Sequence, residues 1–207
     1  MKKSPAHLRY AGAPADVQRH TFERIVREDK TLAQLLELLR TLDLPDWRLV
    51  AGCLYQTVWN VLTERPQGYG INDYDVSYFD DADVSWAAED REIKRAAELC
   101  RAFPGEIEIR NQARVHLWFE DRFGTPYGPL KSTNDGIDRY ASVTHMVGIR
   151  EDAAGQLDIY APKGLDAIFA FRLEPNRVID NSATHERKSR RCLDLWPELT
   201  YTAWEEN

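Results

Sequence analysis

The chain has 207 residues, 43% of them hydrophobic, with 27 Lys and Arg against 34 Asp and Glu for a formal net charge of -7. That supports a sizeable core and excludes a general electrostatic footprint for nucleic acid, so a small-molecule partner is expected. Three scattered cysteines without a Cys-x-x-Cys exclude a disulfide frame, no segment approaches a membrane span, and Met1-Lys2-Lys3-Ser4 lacks a secretory apolar stretch, so the expected location is the cytoplasm.

Residues before Asp16, with Pro5 and Pro14, read as a loose lead-in. Two helices follow to about Leu42, one with the stripe Phe22, Ile25 and Val26, the next with Leu32, Leu35, Leu36, Leu38 and Leu39, and Thr31 as its N-cap. Pro45 ends this region and a core strand covers Trp47 to Ala51. Gly52 makes the turn into a helix over Leu54 to Leu62, and a glycine- and proline-rich loop runs from Thr63 to Gly70.

The next strand, Ile71 to Phe79, carries Asp73 and Asp75. Strand side chains alternate, so these two carboxylates share a face and repel each other there. Alone, the pair reads first as a solvated edge strand. A glycine turn and helix N-terminus upstream, where backbone N–H groups favour phosphate, tips the reading to a phosphate-and-metal site.

Ser85 caps a helix reaching about Phe103, with Ile93, Ala96, Ala97 and Cys100 as its buried stripe, and Pro104-Gly105 stops it. The strand Glu106 to Asn111 puts Ile107 and Ile109 on one face and Glu106, Glu108 and Arg110 on the other. A helix over Arg114 to Phe123 closes at Gly124, and Ser132 or Thr133 caps a short helix. Strands Thr144 to Arg150 and Leu157 to Tyr160 form a hairpin, followed by helices over Leu165 to Leu173 and Thr184 to Trp196. The fold class is therefore α+β: a mixed sheet flanked by helices, with N-terminal helices and a small C-terminal appendage. Residues 1–44 form a helical segment on the core, 45–130 the core itself, and 131–207 a helix and hairpin portion completing one domain.

Three stretches carry a resemblance: Gly52 to Asn60, Gly70 to Asp75, and Arg110 to Trp118. Their order resembles the nucleotidyltransferase superfamily, in which a Gly-Ser at a helix start precedes an Asp-x-Asp strand, and more closely an uncharacterised bacterial nucleotidyltransferase-like branch of it. The resemblance covers about Asp46 to Trp204. It implies transfer of an NMP group from an NTP to a hydroxyl acceptor, with Mg2+ or Mn2+ held by Asp73, Asp75 and a third carboxylate. Glu106 and Glu108 are both candidates for the third; Glu108 is deeper in its strand and is preferred, with Asp158 a distant alternative. Gly52 and Cys53 are the candidate phosphate contacts, and Lys188, in the basic cluster Arg187-Lys188-Arg190-Arg191, a candidate phosphate clamp. The default for that cluster is a solvated helical face. Cys53 stands where the superfamily has serine. With the long Thr63–Gly70 loop, it supports the alternative of a degenerate module that binds nucleotide or metal without transfer. A Cys53 nucleophile paired with His116 or His145 has no sequence context to support it.

Overall fold

The computed structural model describes residues 5–205, so Met1–Ser4 lie outside it. The rest of the lead-in is packed rather than loose. His7 meets the edge of Phe171 with ring centroids 4.8 Å apart, and Tyr10 meets Phe169 at 5.7 Å. Helices α1 (Ala15–Glu28) and α2 (Lys30–Leu42) follow. The N-cap of α2 is Asp29 rather than Thr31: its backbone is extended, and its carboxylate accepts from the N–H groups of Thr31 and Leu32, both at 3.0 Å. A short acceptor right at the break satisfies two orphan donors, so Thr31 becomes a capped residue instead of the cap.

Strand β1 (Arg48–Val50) leads into α3 (Gly52–Leu62), then β2 (Asp73–Tyr78), α4 (Trp86–Leu99) and β3 (Glu106–Asn111). Ser85 caps α4 by accepting from Ala88 N–H at 3.2 Å, but the helix ends at Leu99, before the expected Phe103. Its buried stripe is also narrower than expected, since Ala96 and Cys100 are covered while Ala97 faces solvent. After β3 the expected single helix is divided into a 3-10 turn over Gln112–Leu117 and α5 (Phe119–Phe123), with Gly124 at φ 71° closing it. The Asn111 side chain, accepting from Ala113 N–H at 3.0 Å, opens the tight turn.

Helix α6 (Thr133–Ile137) is capped by Ser132. The hairpin is β4 (Gly148–Glu151) and β5 (Leu157–Tyr160). The expected strand start at Thr144 is instead a 3-10 turn over Val143–His145, tied elsewhere by Val143 N–H donating to Glu174 O at 2.9 Å. The helix expected over Leu165–Leu173 is only α7 (Asp166–Phe169). Phe171 reverses the chain at φ 53°, and β6 (Arg172–Leu173) pairs in parallel with β7 (Thr200–Tyr201) after α8 (Ser182–Leu195). Residues Ala167, Ile168, Phe169 and Phe171 are all buried, so the run carries no periodicity that could separate helix from strand.

The main sheet has the order β3-β2-β1-β4-β5, with β2 and β3 parallel and the other pairs antiparallel. It is thus a mixed five-stranded sheet flanked by helices. Helix α3 packs on β2 and α1, while α4 covers β3. One large core fills the space between sheet and helices, and a satellite of Val115, Phe119, Tyr127 and Leu130 lies under α5. No helix among the described residues is long and apolar enough to cross a membrane.

Candidate active site

The parallel register of β2 and β3 sets Asp73 opposite Glu106 and Asp75 opposite Glu108. All four carboxylates therefore point to one face, away from the side on which Tyr74, Val76 and Ile109 enter the core. Three of them converge. Asp73, Asp75 and Glu108 each offer an oxygen within 4.8 Å of the others, the one such group among the described residues. Glu106, at the outer end of its strand, is exposed and stands apart. Asp158, on β5, is bound by Arg48 at 2.9 Å and Arg150 at 3.1 Å, and belongs to a structural ion network.

The end of β3 is pinned so that this register holds. Asn111 N–H donates to the buried Glu89 carboxylate at 2.8 Å, and Arg114 pairs with the same carboxylate. Gln112 reaches across to Ser77 Oγ at 3.1 Å. Arg114 is thereby committed to Glu89, while Arg110 pairs with Glu108.

Crowding raises the charge cost at the centre. Burial pushes the Asp75 carboxyl up to about 6 from 3.8; Asp73 and Glu108 push the same way, and the cations Lys188 and Arg110 oppose them. Three hard oxygen donors whose mutual repulsion the neighbouring cations only partly offset are the donor set a divalent cation takes.

The carboxylates line a cleft of about 570 Å³. Its floor is the β1–α3 turn, but the strained residue there is Ala51, at φ 54° and ψ -113°, and not Gly52 as the sequence suggests. Ala51 is held by donating its N–H to Val147 O at 2.9 Å. Gly52, the first residue of α3, lies on the cleft with ordinary backbone. A Cβ there would touch only Gln56 Nε2, at 3.7 Å. No contact within the protein requires this glycine, which leaves room for a ligand against the backbone. The N–H groups of Gly52 and Cys53 belong to the first turn, which helix geometry leaves unpaired within the helix.

The Cys53 side chain is not part of the cleft. It is 1% exposed, its thiol donates to Val50 O at 3.8 Å, and burial, then Asp75 and Asp73, push its pKa far up. The side chain turns back toward Val50 of β1 instead of into the cleft, so it offers neither a thiol contact to a ligand nor a thiolate nucleophile there. His116 is half-buried and does not line the cleft.

Helix α8 forms the opposite wall. Thr184, Arg187, Lys188 and Arg191 line the cleft at intervals of three and four residues, one helical stripe. The sequence cluster is thus divided, with Arg190 pointing to solvent. Arg191 donates to Asn72 Oδ1 at 2.8 Å and to the Gly70 carbonyl, fixing α8 to the start of β2. On the other side of α8, His185 is fully buried; its Nε2–H donates to Thr202 O at 2.9 Å, so Nδ1 accepts from Ser142 Oγ at 2.7 Å.

Sequence reasoning missed several lining residues. Gln56 and His145 are 4% and 3% exposed, yet Gln56 Oε1 and His145 Nε2 have no partner among the described residues. Burial, then Lys188 and His185, keep His145 neutral by driving its pKa well below 6.5. The far wall carries Trp118, Phe119, Phe123 and Tyr127 with Arg122 and Arg139. The signal for Trp118 to Phe123 was the aromatic density after β3; Arg139 and His145 had none.

Against known proteins, a family model described as nucleotidyltransferase matches residues 37–201. No curated protein matches the chain. A solved NMR structure, described as revealing a CCA-adding enzyme head domain, is 23% identical and covers 87% of this chain and 95% of its own, with a TM-score of 0.69. At that identity the likeness is one of fold.

Proposed function

The chain belongs to the nucleotidyltransferase family, and from that premise we propose that it transfers an NMP group from an NTP to a hydroxyl acceptor with divalent metal, most simply Mg2+. The convergence of Asp73, Asp75 and Glu108 on one point carries the proposal. Bound there, magnesium would activate the attacking oxygen and stabilise the departing pyrophosphate.

The chain's own residues supply the rest. Asp73 and Asp75 would hold the ions, and Glu108 would complete the nucleophile side and receive the acceptor's proton. Arg110, paired with Glu108, fixes that carboxylate's orientation. The first-turn N–H groups of Gly52 and Cys53 and the cations Lys188 and Arg187 would take the phosphates. The transfer itself is in-line, so catalysis rests on position and charge rather than on a covalent side-chain intermediate.

Calorimetric titration of each NTP with and without magnesium tests this on wild type and on the Asp73→Asn, Asp75→Asn variant. Magnesium-dependent binding in wild type, lost in the folded variant, is expected. Full transfer activity in that variant would sink the metal reading. The absence of a hydroxyl at Cys53 favours a second reading, a degenerate module; tight NTP binding with no turnover on any acceptor would select it.

A further inference from the structure

Resting on the transfer reading, we infer that the acceptor is an anionic molecule with a flat ring, a nucleotide unit, seated against Trp118 and Phe123 with its phosphate on Arg122 and Arg139. The first observation is charge. The protein is acidic overall, yet the cleft is lined by six Lys and Arg side chains and three carboxylates. Five of those cations, Arg122, Arg139, Arg187, Lys188 and Arg191, form no ion pair among the described residues; Arg110 alone does. Two divalent ions and a fully ionised triphosphate would cancel each other, leaving this surplus in place. A cationic acceptor would be repelled, and an anionic one would neutralise the surplus.

The second observation is where the surplus lies. Arg187, Lys188 and Arg191 stand on α8, which is anchored to Gly70 and Asn72 beside Asp73. Arg122 and Arg139 stand apart from that stripe, beside the aromatic wall; Arg122 lies on α5, which follows β3 and Glu108 in the chain, and Arg139 follows α6, its carbonyl accepting from Asn181 Nδ2 at 2.9 Å. Glu108 completes the nucleophile side, so this is the acceptor's end. Arg122 lies 5.9 Å from the Trp118 ring centroid and 5.4 Å from that of Phe123, and Arg139 lies 4.6 Å from that of Tyr127. Ring faces hold these guanidiniums in place without neutralising them; Arg139 spends Nη1 on the Gly128 carbonyl at 2.8 Å, and its remaining donors and those of Arg122 are left for a phosphate. Phe123 is 43% exposed, a large ring at the cleft wall with area still to cover. Aromatic rings beside unneutralised guanidiniums stack bases and bind phosphate together.

The test uses the full chain saturated with magnesium and a non-hydrolysable NTP analogue, confirmed by a first titration. The loaded protein is then titrated with a 5′-mononucleotide, a 5′-phosphorylated trinucleotide, the matching neutral nucleoside and a polyamine aminoglycoside. Phosphorylated probes should bind at least about tenfold tighter than the nucleoside, and the aminoglycoside not at all. Arg122→Ala with Arg139→Ala should weaken the phosphorylated probes about tenfold and leave NTP-analogue affinity unchanged. Trinucleotide binding alone assigns a strand end as the source, and mononucleotide binding alone a free nucleotide; either supports the inference. Equal or tighter binding of the nucleoside or aminoglycoside, no probe binding, or an unaffected double variant overturns it. Failure of the loaded state to form is read in the first titration: it overturns the transfer reading itself and removes this inference with it.

Discussion

Asp75 and Glu108 are register partners across the parallel β2–β3 pair, so two carboxylates from segments 33 positions apart face each other over one interstrand spacing. With Asp73 two residues before Asp75, the arrangement concentrates negative charge where the sheet meets a basic helix. That concentration is destabilising without a cation, and its cost is measurable.

Asp75 should show this directly. Folded Asp75 keeps its proton to about pH 6, while an unfolded aspartate releases it near 3.8. Between those values the folded state binds more protons, so its stability contribution falls as pH rises, and the full penalty applies above pH 6. Asp75→Asn should therefore stabilise the metal-free protein at pH 8 by on the order of 2 kcal/mol, with no gain at pH 3.5. Thermal melts at the two pH values check this. Magnesium should raise the wild-type Tm and leave the variant's unchanged.

Glu106 and Glu108 should separate cleanly. Glu108→Gln removes a converging oxygen and should lower turnover by at least about a hundredfold, more than is typical for a group one step removed from a metal. Glu106→Gln touches an exposed side chain and should change turnover less than about twofold. Steady-state transfer assays on both variants decide the matter, and equal losses would refute the assignment.

The β1–α3 turn offers a matched pair. Gly52→Ala meets only Gln56 at 3.7 Å, so stability should change by less than about 1 kcal/mol. NTP affinity should nevertheless fall about tenfold or more, because the added methyl occupies space where backbone approaches phosphate. Ala51→Gly acts oppositely: it relieves a positive φ in a non-glycine residue and should stabilise the fold by about 1 kcal/mol, net of unfolded-chain entropy. Chemical denaturation and calorimetry on both variants test the contrast.

The thiols should be inert. Cys53, Cys100 and Cys192 are all buried, and burial raises each pKa. Iodoacetamide at pH 8 should leave native protein unlabelled, and Cys53→Ser should retain turnover within about threefold. Rapid labelling with loss of activity would restore a catalytic thiol.

The wall cation Lys188 carries no ion pair among the described residues and acts electrostatically on Asp75. Lys188→Ala should raise the KM for NTP about tenfold with a smaller change in the melting temperature. It should also raise the Asp75 pKa further, since a cation opposing protonation has been removed, shifting the acidic limb of the pH–rate profile upward.

The amino-acid order by itself determined the aspartate strand, the glutamate strand and the helix between them. Their alternation and caps are local properties: Asp73 and Asp75 share a face through a two-residue period, and Ser85 caps its helix within three residues. It also placed a basic cluster on the last helix, but not which of its members face the cleft. What remained illegible depended on partners distant in the chain. Whether Glu106 or Glu108 joins the aspartates was decided by the β2–β3 register and by Asn111 and Gln112 pinning the strand end. The positive φ fell on Ala51 because Val147 holds its N–H, and Cys53 turned back toward Val50 of β1 instead of into the cleft. His145 and Arg139 reached the cleft only through tertiary packing, since no period or spacing links them to Asp75. Local geometry is written in short-range sequence; convergence of charge from separated segments is fixed by packing, and only the folded chain brings it about.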